Sequence, residues 1–397
     1  MLLQHSSRLL IVQTCNVIVS VRSMKKQLFF GVKQLLKMLM QNALLPCVYG
    51  FWNLMYRKAD KQYIICADSH HTELPFSLQR ICEALQAKGY SVVTDVCDYS
   101  RLSMAASSLR AIRFMKLYAQ AKVVFICDNF LPVSSCRKDP RTKVVQLLHS
   151  CGLGKKMGYD ATDDIPAGYR GFVYRNYDLV TVSSPACVEP LAHSLRHSTA
   201  VVRALGTSRT DHYFDPAWIR KCRKDFYEAY PQAKGKTVVL WAPTFRGNAA
   251  DPQQIGTEQI IQLEKELGDK FFILRKVHPH VDSRYHLSNC HFLTEQLLPV
   301  ADLMITDYSS IVVDFMFFGK PYVLFAPDWE QYKQDRGMYV DLHTLSPYVV
   351  TDSRALKDAV LQALKDPCDT WVQKNRTFHA SSCDGHSTDR IIEYLGL

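Results

Sequence analysis

Residues 1–59 of this 397-residue chain contain no aspartate or glutamate. The first acid is Asp60, whereas Arg8, Arg22, Lys25, Lys26, Lys33, Lys37, Arg57 and Lys58 all precede it. The other 40 bases nearly balance all 38 acids, so the formal charge of +10 belongs to an N-terminal arm and not to the body. A near-neutral body is a poor match for nucleic acid, whose phosphates demand a basic face. The 13 cysteines contain no CxxC pair and are scattered from Cys15 to Cys383. Zinc sites need clustered thiols and disulfide frameworks need patterned ones, so this spacing reads as free thiols in a reducing cytoplasm. The longest uncharged run, Met38 to Tyr56, has only 19 residues and includes Gln41, Asn42, Pro46, Gly50 and Asn53. That is barely a membrane span in length and too polar for a good one. Internal repeats and low-complexity tracts are also missing. What remains is an ordinary globular composition, 47% hydrophobic and 22% charged, long enough for two large domains.

The arm interleaves its bases with Leu, Phe, Met and Trp. Leu28, Leu35, Leu36, Leu39 and Met40 fall near one helical face, with Lys25, Lys26, Lys33 and Lys37 available to the other. An amphipathic helix lying in an anionic membrane interface fits this pattern better than a spanning helix or a plain surface helix. A start at Met24 reads more naturally than one at Met1, which would leave residues 1–23 untranslated. A short apolar run from Leu9 to Val21 follows Arg8, but no small-residue cleavage site follows it, which argues against a signal peptide.

From Lys61 onward, short apolar runs alternate with amphipathic segments. Runs at 63–67, 91–94, 122–127, 144–148, 179–182 and 200–202 read as strands of a first half, with helices over 75–88 and 102–120. A charged helix over 216–229 separates the halves. Strands then recur at 237–241, 271–274, 303–305 and 322–325, with helices near 258–267, 355–364 and 389–394. This alternation implies βαβ units and parallel sheets: an α/β protein with two Rossmann-like, doubly wound domains in tandem. The expected divisions are an arm over 1–59, a first domain over 60–215 and a second over 216–397. Ligand would sit between the halves, at the C-terminal ends of the strands.

Four segments with polar chemistry follow predicted strands. His149-Ser150-Cys151-Gly152-Leu153-Gly154-Lys155-Lys156 puts an imidazole before a Gly-rich loop with two lysines, which suits a base beside an anion or simply a tight turn. Trp241-Ala242-Pro243-Thr244-Phe245-Arg246 ends a strand in hydroxyl and guanidinium groups. Arg275-Lys276-Val277-His278-Pro279 fixes a second imidazole before a proline. Thr306-Asp307-Tyr308-Ser309-Ser310 leads into an apolar helix that Ser309 can cap, and a helix start favours phosphate.

Taken together, these segments resemble the CDP-glycerol glycerophosphotransferase family, which builds teichoic acids and related capsular polymers in bacteria. The resemblance rests on HSCGLGKKMGYD at 149–160, GTSRTD at 206–211, WAPTFRG at 241–247, RKVHPH at 275–280, TDYSSIVVDF at 306–315, GKPYVLFAPD at 319–328, DRGMYVD at 335–341 and CDGHSTDR at 383–390. It covers about residues 60–397 in the family's order. Two positions depart from the usual pattern: Ser150 stands where Gly usually follows the first His, and Leu148 stands where Trp is common.

The resemblance implies a GT-B-like fold. It implies transfer of glycerol phosphate, or in some members ribitol phosphate, from a CDP-alditol to a hydroxyl of a lipid-linked saccharide or polyol-phosphate acceptor, with release of CMP. His149 would be the general base, since an imidazole ordinarily titrates near ~6.5. His278 would meet the pyrophosphate and assist the departing CMP. Ser309 and Ser310 would hold phosphate oxygens, and Arg209, Thr244, Lys276 and Arg336 would meet negative charge. Ser150, Gly152, Pro243 and Asp307 complete the expected substrate-binding set. No covalent nucleophile, metal site or cofactor is implied, and a need for Mg²⁺ is left open. The resemblance further implies peripheral attachment to the cytoplasmic face of the membrane, which suits the arm. No large extra domain accompanies the two halves, which suits a primase more than a polymerase. The rival readings are a GT-B enzyme acting on nucleotide sugars and a non-catalytic subunit of a polymer-assembly complex.

Overall fold

The computed structural model describes residues 31–397 apart from 33, 163, 166–167 and 249–250. The expectations for residues 1–23, Lys25, Lys26, Leu28 and Lys33 lie outside the described residues. Two parallel sheets carry the fold. The first takes β1 (Tyr63–Asp68), β2 (Val92–Val96), β3 (Ala121–Ile126), β4 (Lys143–Gln146), β5 (Leu179–Thr181) and β6 (Val202–Arg203) in the order β2-β1-β3-β4-β5-β6. The second takes β7 (Thr237–Trp241), β10 (Phe271–Arg275), β11 (Leu303–Thr306), β12 (Tyr322–Phe325) and β13 (Val349–Val350) in the order β10-β7-β11-β12-β13. Between β7 and β10 the chain adds a small antiparallel ribbon, β8 (Arg246–Asn248) with β9 (Asp251–Gln253), which has no apolar periodicity to announce it.

Both sheets are covered on both faces because apolar residues along their central strands alternate between two cores. Along β1, Ile64 and Cys66 join one core while Ile65 and Ala67 join the other. Along β7, Val238 and Leu240 face one core, and Val239 and Trp241 face the opposite one. Each large aliphatic side chain buried this way contributes about 1.5–3 kcal/mol. Helix α1 (Leu45–Met55) and α3 (Met104–Tyr118) cover one face of the first sheet, and α2 (Phe76–Ala87) covers the other. The helix over 188–195, which the sequence reading missed, is α4 (Val188–Leu195). Helix α5 (Pro216–Ala229) starts at an Asp215 cap that accepts the Ala217 N–H at 2.9 Å, with Pro216 in the first turn. It buries Cys222, and Phe226 joins the second half's core. Helices α6 (Thr257–Leu267) and α9 (Leu356–Ala363) cover the far side of the second sheet, leaving α7 (Ile311–Phe315), α8 (Trp329–Asp335) and α10 (Asp369–Ala380) for the near side.

The chain does not divide cleanly at 215/216. The last helix, α11 (Ser387–Tyr394), returns to the first half and buries Ile391 and Ile392 among Ile64, Cys66, Leu78 and Ile81. Its N-terminus is held by Asp211, which accepts the Thr388 N–H at 2.7 Å and the Ser387 N–H at 3.1 Å. The short amphipathic helix had no sequence mark of which sheet it would cover.

The arm has two distinct faces. Residues 34–39 are helical, pass through a π turn at Met40–Leu44 and continue into α1. Leu45 and Tyr49 are buried against α3, with the Tyr49 and Tyr118 rings 5.1 Å apart. The opposite face exposes Leu35, Leu36, Leu39, Leu44, Phe51, Leu54 and Met55 to solvent. Among the described residues no helix is long and apolar enough to cross a membrane.

Among the described residues two imidazoles are buried. His212 stacks on Phe76 at 4.7 Å, and His379 on α10 accepts the Leu153 N–H at its Nδ1, 3.1 Å away. Burial pushes both down to about 4. A histidine whose folded pKa is depressed contributes stability above its unfolded value of ~6.5 and loses it as pH falls toward 4. His379→Asn keeps an acceptor near the Nδ1 position without the titration. Comparing chemical denaturation at pH 7.5 and 4.5, the variant should lose roughly 2–3 kcal/mol less stability than wild type. An identical loss in both proteins would refute the buried neutral imidazole.

Candidate active site

In open parallel sheets, functional groups collect where successive strands leave in opposite directions. In the first sheet that point lies between β1 and β3, and in the second between β7 and β11. The two edges face a shared cleft of about 990 Å³.

On the first wall, the backbone after β4 turns sharply. Leu148 adopts φ +58°, and the Gln146 side chain accepts its N–H at 3.0 Å while donating to the Asp128 carbonyl at 3.2 Å. The turn projects His149 into the cleft with its side chain about half exposed. Its Nδ1 stands 3.4 Å from Asp128 Oδ2, a carboxylate that follows β3 at the switch point. A carboxylate on Nδ1 favours the tautomer that leaves Nε2 as the proton acceptor. The left-handed residue here is Leu148; the backbone of Ser150 lies outside that region, so Ser fits without strain where Gly is usual. Gly152 does need its small size: at φ +71° a Cβ would meet Val313 Cγ2 at 2.9 Å and His379 Cβ at 3.0 Å.

The second wall is braced by one guanidinium. Arg246 grips Asp328 through two bonds, 2.6 Å from Nε and 2.9 Å from Nη2, and pairs with Asp307 at 3.1 Å. It lies over the rings of Tyr308 and Tyr332, which stack 3.8 Å apart. Asp307 Oδ1 also accepts the N–H groups of Thr244 at 2.7 Å and Tyr308 at 2.6 Å. Its two oxygens therefore join the ends of β7 and β11. Thr244 lines the cleft; its hydroxyl oxygen is buried and has no hydrogen-bond partner among the described residues. His278 follows β10 and lies against Phe245, ring centroids 4.6 Å apart.

The walls are tied together along one rim. The segment 154–156 runs antiparallel to 337–339 through Tyr339 N–H to the Gly154 carbonyl at 2.8 Å and Lys156 N–H to the Gly337 carbonyl at 3.0 Å. Arg336 adds an ion pair to Asp164 at 2.5 Å, and the Tyr339 hydroxyl donates to Asp160 at 2.7 Å.

Of the residues expected from the sequence, His149, Ser150, Gly152, Thr244, His278, Ser310 and Arg336 line this one cleft. Five do not. Arg209 is buried behind the first wall, bonded to the His149 carbonyl and to Glu295 at 2.7 Å, with Asp314 at 3.4 Å. Asp307 is occupied as described, Pro243 is buried, and the Lys276 ammonium reaches the Cys290 carbonyl at 3.4 Å. Ser309 is not the cap: α7 begins one residue later from Ser310, and the Ser309 hydroxyl is 3.5 Å from the Ile311 N–H. Asp128, Lys155, Arg246 and Asp328 also line the cleft and were passed over, although three of them lie inside motifs already singled out.

The family model for CDP-glycerol:poly(glycerophosphate) glycerophosphotransferase matches residues 52–396, a span that includes every one of these groups. The chain belongs to that family. Among curated relatives, the teichoic acid ribitol-phosphate primase of Bacillus spizizenii is 26% identical over 71% of this chain and 77% of its own length. The teichoic acid glycerol-phosphate primase of Bacillus subtilis is 27% identical over 72% of this chain and 76% of its own. Among solved structures, the wall teichoic acid polymerase TagF soaked with CDPG superposes with a TM-score of 0.69 at 16% identity, covering 92% of this chain and 97% of that one. That likeness establishes the shared α/β fold.

Arg246→Met would leave Asp307 and Asp328 without their cation in a largely buried wall. Removing one partner of such a cluster typically costs about 3–5 kcal/mol. Urea denaturation should show a loss of that size, and a smaller one for Arg246→Lys, which keeps charge but not the two-bond grip.

Proposed function

We propose that this protein transfers glycerol phosphate from CDP-glycerol to a hydroxyl of a lipid-linked acceptor in teichoic acid or related cell-surface polymer synthesis, with release of CMP. The observation that carries this reading is the meeting of His149 and His278, from opposite walls, in one cleft of a chain that matches the family over 52–396. The two parallel sheets support a GT-B-like plan, with the acceptor against the first half and the CDP-alditol against the second.

His149, oriented by Asp128, takes the proton of the acceptor hydroxyl through Nε2. The acceptor oxygen attacks the alditol-bearing phosphorus in line, and the bond from that phosphorus to the oxygen of CMP breaks. His278 stands on the opposite wall, where it meets the pyrophosphate and assists the departing CMP. Thr244 and Ser310 offer hydroxyls and Arg336 offers a guanidinium to phosphate oxygens. The buried Thr244 hydroxyl lacks a partner among the described residues and gains one if it rotates toward such an oxygen. Such a transfer needs placement and charge neutralisation more than covalent help. Ribitol phosphate is the second reading, because a ribitol-phosphate primase matches as well as a glycerol-phosphate one.

CMP release from CDP-glycerol and from CDP-ribitol, each with a lipid-linked acceptor, tests the reading directly. Turnover with one CDP-alditol is expected, and turnover of UDP-sugars alone would overturn it. His149→Ala should lower kcat by 10²–10⁴-fold, and Asp128→Asn should lower kcat with little change in KM.

The arm attaches the protein peripherally to the cytoplasmic face of the membrane through its exposed apolar face, which no acidic residue before Asp60 opposes. Deleting the arm would also remove Leu45 and Tyr49 from the core, so surface substitution is the cleaner test. Replacing Leu35, Leu39, Phe51 and Leu54 by Ser should abolish co-sedimentation with anionic vesicles while leaving the melting temperature within a few degrees. Undiminished sedimentation would place the attachment elsewhere.

A further inference from the structure

Two lysines stand side by side after His149, and the fold treats them oppositely. The antiparallel bridge between Lys155 and Met338, flanked by the bonds at Gly154 and Lys156, fixes the direction of this segment. Successive side chains of an extended segment point to opposite sides. Lys155 lines the cleft. Lys156 instead lays its aliphatic stem over Gly337, where a Cβ would come within 2.9 Å of its Cδ.

Three formal cations line the cleft: Lys155, Arg246 and Arg336. Arg246 is neutralised by Asp307 and Asp328, and Arg336 by Asp164. The Lys155 ammonium makes no hydrogen bond or ion pair with the described residues. Its charged neighbours are Arg336 and Arg246, which repel it, and the already engaged Asp307 and Asp164, which attract it. Burial first, and then Arg336, push it down to about 8. A partly desolvated ammonium whose carboxylate neighbours are already engaged is costly, and an anion brought beside it relieves the cost.

Resting on the donor reading above, we infer that Lys155 binds the second phosphate of a nucleoside diphosphate donor, the phosphoryl group that is transferred. Lys155 shares the first wall and the loop of His149, so it lies on the side from which the acceptor oxygen arrives. The phosphorus under attack must be the one nearer that wall. The phosphate that leaves with the nucleoside faces His278, Thr244 and Ser310 instead. A point charge with three rotatable donors suits non-bridging oxygens whose charge redistributes during in-line transfer.

Calorimetric titration with CMP and CDP, which need no turnover, separates the two phosphates. Wild type should bind CDP at least about 10-fold more tightly than CMP, as expected of one charge-assisted contact. Lys155→Met should lose about that factor for CDP, keep CMP affinity within about twofold and melt no lower than wild type. Lys155→Arg should restore most of the CDP preference. Unchanged CDP affinity, an equal loss for CMP and CDP, or a lowered melting temperature in Lys155→Met would overturn the assignment and leave the donor reading standing. Wild type that binds neither nucleotide would overturn both.

Discussion

The guanidinium of Arg209 stands at the junction of the two halves, and the cleft depends on where it is anchored. It leaves the first half just before α5 and meets Glu295 and Asp314, two carboxylates of the second half. With its other arm it holds the carbonyl of His149. Tyr213 completes the cluster by donating to Asp314 at 2.8 Å. Taking these charges out of water costs several kcal/mol per ion, recovered only when each is paired in good geometry. Such a cluster tolerates one arrangement of the halves and penalises the others. His149 therefore does not owe its position to its own loop alone; its carbonyl is tied, through Arg209, to two carboxylates of the second half.

The second wall follows the same logic with a different guanidinium. Arg246 neutralises Asp307 and Asp328, and Asp307 in turn joins the loops after β7 and β11. The stacked rings of Tyr308 and Tyr332 exclude water from one side of that ion pair, which strengthens it. Much of the charge in the motifs is thus structural. Many of the acids and bases that look like ligands in the sequence saturate one another: Arg246 with Asp307 and Asp328, and Arg209 with Glu295 and Asp314.

This division also explains what could be read from the sequence. The strands were legible because a parallel strand buried on both faces is a continuous apolar run; Thr237–Trp241 and Tyr322–Phe325 needed no correction. The cleft was legible because each of its polar segments follows such a run. The short antiparallel ribbon, α10 and the destination of α11 were not, since brief or polar segments carry little periodicity. Arg209 and Asp307, expected to meet substrate, are engaged by protein groups that their motifs do not display. Whether a charged residue meets a substrate or another side chain depends on partners 86 and 63 positions away along the chain, respectively. The Ser309 cap failed by one residue, within the ordinary uncertainty of a helix start.

The residues at 148 and 150 differ in what the loop around His149 asks of them. A left-handed residue costs about 1–2 kcal/mol when it is not glycine. Here Leu148 takes that conformation, and the cost is offset by burial of its side chain and by the bond from its N–H to Gln146. The sharp turn is completed before His149, and Ser150, outside the left-handed region, carries a side chain into the cleft. Gly152 must stay small, because Val313 and His379 leave no room for a Cβ there. The constraint on this loop is therefore the approach of the two walls at residue 152, not the residue next to the imidazole.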